Sequence, residues 1–235
     1  MRQATRDAVD AWWRELFAVG DELWSSVTVL HPHEHLGDYE GWYVAWRGTG
    51  VHISAPSSAM ADEVTSLADE AASNLVAPEF WQAFAHQRGF EVVGPSTHAY
   101  LDVDPGADEG VLALSGPELD ALRMAVRPDE WTEGGLSHEP TPLAFGIVQD
   151  GRPVAASVLN LWAGTPRDIG VVVAETHRGR GLAARVGAHA ASHAIRAHGV
   201  ARWRSATTNV ASVRTAERLG FEPYATQLAI RAGSA

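Results

Sequence analysis

Arg178, Gly179, Arg180 and Gly181 are the residues of this chain whose types and spacing most clearly suggest chemistry. Before them lies an apolar run with Val171, Val172 and Val173, and after them an Ala-rich segment of helical character, so that 171–186 reads VVVAETHRGRGLAARV. A strand, a Gly/Arg loop and a helix N-terminus in that order make a cradle for phosphate. Glycines let a ligand approach the backbone, first-turn N–H groups of a helix have no intrahelical acceptor, and arginines add positive charge. The loop has this context on both sides, which a lone glycine cluster lacks.

Other chemistries find less support. The chain has no cysteine, which excludes a thiol nucleophile and disulfides. Neither Gly-x-Ser-x-Gly nor His-Glu-x-x-His occurs. His31, His33 and His35 alternate in HPHEH and, on an extended strand, would share one face with Glu34 nearby. Pro32 and the following Leu-Gly-Asp favour a loop instead, and no metal is expected. The nine tryptophans are expected mainly in the core, with Trp162 a candidate for lining an acceptor pocket.

The loop requires elements to position it. Apolar periodicity predicts a helix over 4–19. Strands are expected at 25–30, 41–47 and 51–55, helices at 58–73 and 78–87, and one or two strands over 90–103 broken around Gly94–Pro95. The stretch 102–110 (DVDPGADEG) reads as a boundary. Beyond it, 111–114 is a short strand, and Ser115 with Glu118 forms a capping box for a helix. A short helix over 128–133 ends at Gly134–Gly135. Asp150–Gly151 joins strands 142–149 and 153–161 as a hairpin. Strand 168–174 leads into the glycine loop and a helix over 181–198. Strand 203–206, a helix over 209–219 capped by Gly220, and strand 221–231 complete the chain.

This second half resembles the GCN5-related N-acetyltransferase (GNAT) family. Arg178, Gly181 and Ala183 match its Arg/Gln-x-x-Gly-x-Gly/Ala signature, and NVASVRTAERLGF over 209–221 resembles its later Asn…Leu-Gly-Phe helix. The resemblance spans about 111–231. It implies an α/β protein of α+β type, with a mixed, mostly antiparallel central sheet flanked by helices. Acetyl-CoA is the implied cosubstrate. Its pyrophosphate would lie on Arg178, Gly179, Arg180, Gly181, Leu182 and Ala183, its pantetheine along Val171, Val172 and Val173, and its lower arm near Asn209 and Ser212. A backbone N–H near Val172 would polarise the thioester carbonyl, and an amine would attack directly.

One departure concerns proton donation. Many relatives carry a tyrosine as general acid seven residues after the Asn, where this chain has Ala216. Ser212 is the nearby hydroxyl, although its high pKa makes it a poor donor. For the base, the candidates are Glu133, Asp168 and His138 with Glu139. The acceptor is expected to be a small-molecule amine or a peptide N-terminus. An acyl-CoA-binding sensor without transfer is the rival reading.

The domain expectation is an N-terminal α/β lobe over 1–105 and an acetyltransferase domain over 111–235. The segments 83–101 and 214–230 echo each other as helix, Gly-Phe-Glu, strand. Two readings stay open: a degenerate duplication, in which 54–60 (SAPSSAM) has lost its glycines, or chance similarity. The net charge of −11 argues against bulk nucleic-acid binding. Arginines nevertheless crowd the last third. No run of about 18 apolar residues occurs, so no membrane span is expected. The remaining expectations are a cytoplasmic location and a monomer or homodimer.

Overall fold

The computed structural model describes residues 1–33, 36, 39–65, 72–137 and 143–232. These divide into two compact units. The first comprises Met1–Thr5, Ala99–Ser205 and Asn209–Pro223, and the second Arg6–His98, Ala206–Thr208 and Tyr224–Ala235.

The second unit carries the helix α1 (Gln3–Phe17) from Arg6 onward and the strands β1 (Val27–Leu30), β2 (Gly41–Arg47) and β3 (Gly50–Ser54). The helices α2 (Ser58–Thr65), α3 (Ala72–Leu75) and α4 (Pro78–His86) follow, then most of β4 (Phe90–Leu101). Within this unit the strand order is β1-β3-β2, then β10 (Glu222–Ala232), then β4. Trp42, Trp81, Leu228 and Ile230 are buried in one cluster. Residues 66–71 of the helix expected over 58–73 lie outside the described residues. The strand expected to break at Gly94–Pro95 runs through it. Gly94 has φ +112° and sits so near β10 that a Cβ would stand 3.0 Å from the Gln227 carbonyl oxygen. A glycine here thus keeps the two strands close where a side chain would part them.

The first unit has the element order that the motifs require: β5 (Leu112–Ala113), α5 (Gly116–Arg123), α6 (Pro128–Glu133), β6 (Leu143–Gln149), β7 (Arg152–Trp162), β8 (Thr165–Val173), α7 (Leu182–His198), β9 (Ala201–Ala206) and α8 (Val210–Leu219). Its strand order is β9-β8-β7-β6-β5. Pairs β5–β6, β6–β7 and β7–β8 are antiparallel, and β8–β9 is parallel. The β6–β7 hairpin turns on Asp150 and Gly151, both left-handed at φ +49° and +73°, as a two-residue type I′ loop demands. Glu118 accepts hydrogen bonds from the Ser115 N–H (2.7 Å) and its hydroxyl (2.6 Å), fixing the start of α5.

Alternation along the strands builds two cores. Ala155, Val171 and Val173 face a cluster with Leu182, Val186, Ala190 and Ala194 of α7 and with Trp203 of β9. Ala156, Val158 and Val172 face Leu119, Leu122 and Trp131 of α5 and α6. Small residues let α7 lie close to the sheet: a Cβ on Gly187 would stand 3.0 Å from the Trp203 ring. A strap over 104–110 is fastened to α7. Asp104 accepts from Arg196 (2.7 Å), and Asp108 takes both Nε and Nη2 of Arg185 (2.7 and 3.0 Å).

Candidate active site

The β8–β9 ladder is short. It registers Asp168 with Arg202 and Ile169 with Trp203 and ends there. On its other side β8 stays paired with β7 through Val173↔Ala155. Gly170, Val171, Val172 and Val173 therefore have no strand partner on the β9 side, leaving backbone that an extended ligand can pair with.

Beyond the open edge the chain makes a one-turn 3-10 helix (Glu175–His177) and enters the loop. Gly179 and Gly181 are left-handed at φ +74° and +75°. A Cβ at either would meet nothing within 4 Å, so both open onto free space. Gly181 is the N-cap of α7 and offers no side-chain cap, and the first helical bond there is Arg185 N–H to the Gly181 carbonyl. The amides of Leu182 and Ala183 are left for an external acceptor. Arg178 turns back to α6, donating to Glu130 (2.5 Å). That contact, together with Arg127, holds the Glu130 carboxyl below its usual range. The corresponding helix start in the second unit is closed: the Ser57 hydroxyl accepts from the Met60 N–H (3.3 Å).

The Gly134–Gly135 turn presses on β8. A Cβ on Gly134 would stand 2.5 Å from Val172 Cγ1 and 2.9 Å from the Val171 carbonyl oxygen, and one on Gly170 would stand 2.1 Å from the Gly134 carbonyl oxygen. This contact brings Glu133, the last residue of α6, to the start of α8. There Asn209 Nδ2 donates to Glu133 Oε1 (2.8 Å), while Asn209 Oδ1 accepts from the Ser212 N–H (3.0 Å). Ser212 Oγ accepts from the Trp203 indole (3.0 Å), which leaves its O–H free to donate. Ala216, one turn further, is buried in the core cluster that also holds Phe221 and Trp203.

Of the candidate bases, Glu133 is thus grouped with Asn209 and Ser212. Asp168 is engaged elsewhere: its carboxylate pairs with buried Arg202 (2.6 Å), whose guanidinium lies 3.8 Å over the Trp162 ring. That engagement also places Trp162 against an arginine. His138 and Glu139 lie outside the described residues, as do Glu34 and His35 of the HPHEH run. His33 is buried with Nε2 on the Tyr39 carbonyl (2.6 Å), and no cluster able to hold a metal ion occurs among the described residues. Sequence reasoning missed Glu130, the partner of Arg178, and the Gly134–Gly170 contact. The signal for Glu130 was its position three residues before Glu133 on one short helix.

An open strand edge running into an uncapped helix N-terminus suits an extended ligand that carries phosphate. Residues 112–221 match the model of the acetyltransferase (GNAT) family. No curated protein is matched by the sequence. Solved structures are similar at low identity. A GNAT-family protein from Novosphingobium aromaticivorans aligns over 63% of this chain and 69% of its own, at 25% identity and a TM-score of 0.49. A GCN5-related N-acetyltransferase from Kribbella flavida aligns over 71% and 77%, at 21% and 0.43. A tandem GNAT protein from the clavulanic acid biosynthesis pathway aligns over 99% and 97%, at 16% and 0.45. No helix among the described residues is long and apolar enough to cross a membrane.

Proposed function

We propose that this protein is an acetyl-CoA-dependent N-acetyltransferase that acts on a primary amine, with the transfer site in the unit that holds 99–205 and 209–223 and no CoA site in the other. The observation that carries the reading is the early end of the β8–β9 ladder immediately before an open, uncapped glycine loop. The residues fit the cosubstrate. Orphan amides at Leu182 and Ala183 and the side chain of Arg180 suit a pyrophosphate, and the unpaired edge at 171–173 suits a pantetheine amide. Acetyl-CoA supplies the activated acyl group as a thioester.

The chain's own residues then divide the work. A backbone N–H near Val172 donates to the carbonyl oxygen as charge gathers there. Glu133 accepts the proton that an ammonium substrate must lose. Ser212, its Oγ held by Trp203, donates a hydrogen bond to the departing sulfur. A thiolate leaves with little help, so a weak donor suffices where Ala216 replaces the usual tyrosine.

The burial of Ala216 also favours a second reading, an acyl-CoA sensor that binds without transfer. Thiol release from acetyl-CoA, followed across a panel of amino acids, polyamines, aminoglycosides and peptide N-termini, separates the two. Turnover on at least one amine, lowered about 100-fold in Glu133→Gln, is expected. Acetyl-CoA binding with no turnover on any member would favour the sensor.

A further inference from the structure

Glu133 is exposed and is the last residue of a six-residue helix. The other acid of that helix, Glu130, is already engaged by Arg178 and Arg127. What fixes Glu133 comes from the far side of the open edge. Asn209 has two polar atoms and both are used: Oδ1 on the Ser212 N–H, Nδ2 on Glu133 Oε1. The pairing leaves no ambiguity in the amide, because a backbone donor requires the oxygen and a carboxylate requires the nitrogen. Ser212 in turn receives the Trp203 indole.

We propose that Asn209 is a positioning residue for the transfer: its amide fixes the base Glu133 and, through the helix cap, the donor Ser212. This rests on the reading of Glu133 as the base. It gives Asn209 a task on the acceptor side, beyond any contact with the pantetheine arm. One side chain joins the groups that take a proton from the amine and give a hydrogen bond to the sulfur. It joins α8 to α6 across the β8–β9 opening.

The test uses a variant that preserves the cap. Asparagine and aspartate cap helices about equally well, so Asn209→Asp keeps the Ser212 N–H satisfied. It replaces the donor facing Glu133 with a second carboxylate, which repels the Glu133 carboxylate instead of holding it. Thiol release is followed in full-length protein, with kcat and the acetyl-CoA KM separated. Asn209→Asp is expected to lower kcat about tenfold and to leave the acetyl-CoA KM little changed. Asn209→Ala is expected to lower turnover about tenfold. In a Glu133→Gln background the same change is expected to have little further effect.

An unchanged kcat in Asn209→Asp would overturn the positioning role. So would equal fold-losses for Asn209→Ala with and without Glu133, or a loss confined to acetyl-CoA affinity by calorimetry. Full activity in Glu133→Gln would instead defeat the base assignment, a separate failure.

Discussion

At the scale of single residues, glycine and histidine carry the sharpest consequences. Gly134 must lack a side chain because a Cβ there would collide with Val172 Cγ1 and the Val171 carbonyl oxygen. Gly134→Ala is expected to cost about 1–3 kcal/mol and to displace Glu133, so thermal stability and turnover should fall together. Unchanged melting and activity would mean that the turn is not pressed on the strand. His52 in β3 is fully buried. Its Nε2 accepts the Trp24 N–H (3.1 Å) and its Nδ1 lies 2.5 Å from the Thr28 hydroxyl, a pattern that suits the neutral ring. Burial pushes its pKa from the ordinary 6.5 down to about 4. Between those values the unfolded chain binds the proton and the folded one does not, so stability rises with pH across that window. The stability difference between wild type and His52→Gln should therefore shrink as pH falls from 6.5 to 4. A constant difference in denaturant titrations over that range would contradict the neutral, buried assignment.

At the scale of elements, α6 does more than its six residues suggest. Trp131 anchors it in the core, Glu130 holds Arg178 of the loop, and Glu133 reaches Asn209. The glycine loop, the hairpin at Asp150–Gly151 and both ends of α7 and α8 were legible in the sequence, because each depends on local backbone chemistry that glycine or a capping residue declares. The short β8–β9 ladder was not legible as such, since register between strands distant in sequence leaves no local mark. The engagement of Asp168 by Arg202 was hidden for the same reason: the two meet only once β8 and β9 align. The contrast between a closed α2 and an open α7 could be read partly from Ser57 and Gly181. The strap offers a test at this scale. Hydrogen bonds from Arg185 and the Gly110 N–H hold Asp108 down to about 2, and those from Ser192, the Gly106 N–H and Arg196 hold Asp104 at a similar value. A carboxyl depressed in the fold lends stability above its ordinary pKa of 3.8 and loses it as pH falls towards 2. Asp108→Asn is expected to speed proteolytic cleavage within 102–110 at neutral pH. Cleavage at the wild-type rate would show that the strap is held by other contacts.

At the scale of the whole molecule, the proposed function has a chain of net charge −11 bind an anionic cosubstrate against its own field. The orphan amides of α7, with Arg178 and Arg180 beside them, supply the local positive end that makes this feasible. With one open helix start in the first unit and a side-chain-closed one at Ser57 in the second, the proposed function predicts one acetyl-CoA per chain. The most direct measurement is calorimetry of acetyl-CoA with wild type, Gly181→Asn and Gly181→Asp. Both substitutions suit a left-handed N-cap with open space around it, so the fold should tolerate them, and they differ from each other only in charge. Wild type should bind one equivalent. Asn should weaken binding modestly, and Asp should weaken it at least about 100-fold relative to Asn, about 2.8 kcal/mol. Equal affinities for Asn and Asp would place the pyrophosphate elsewhere and contradict the site.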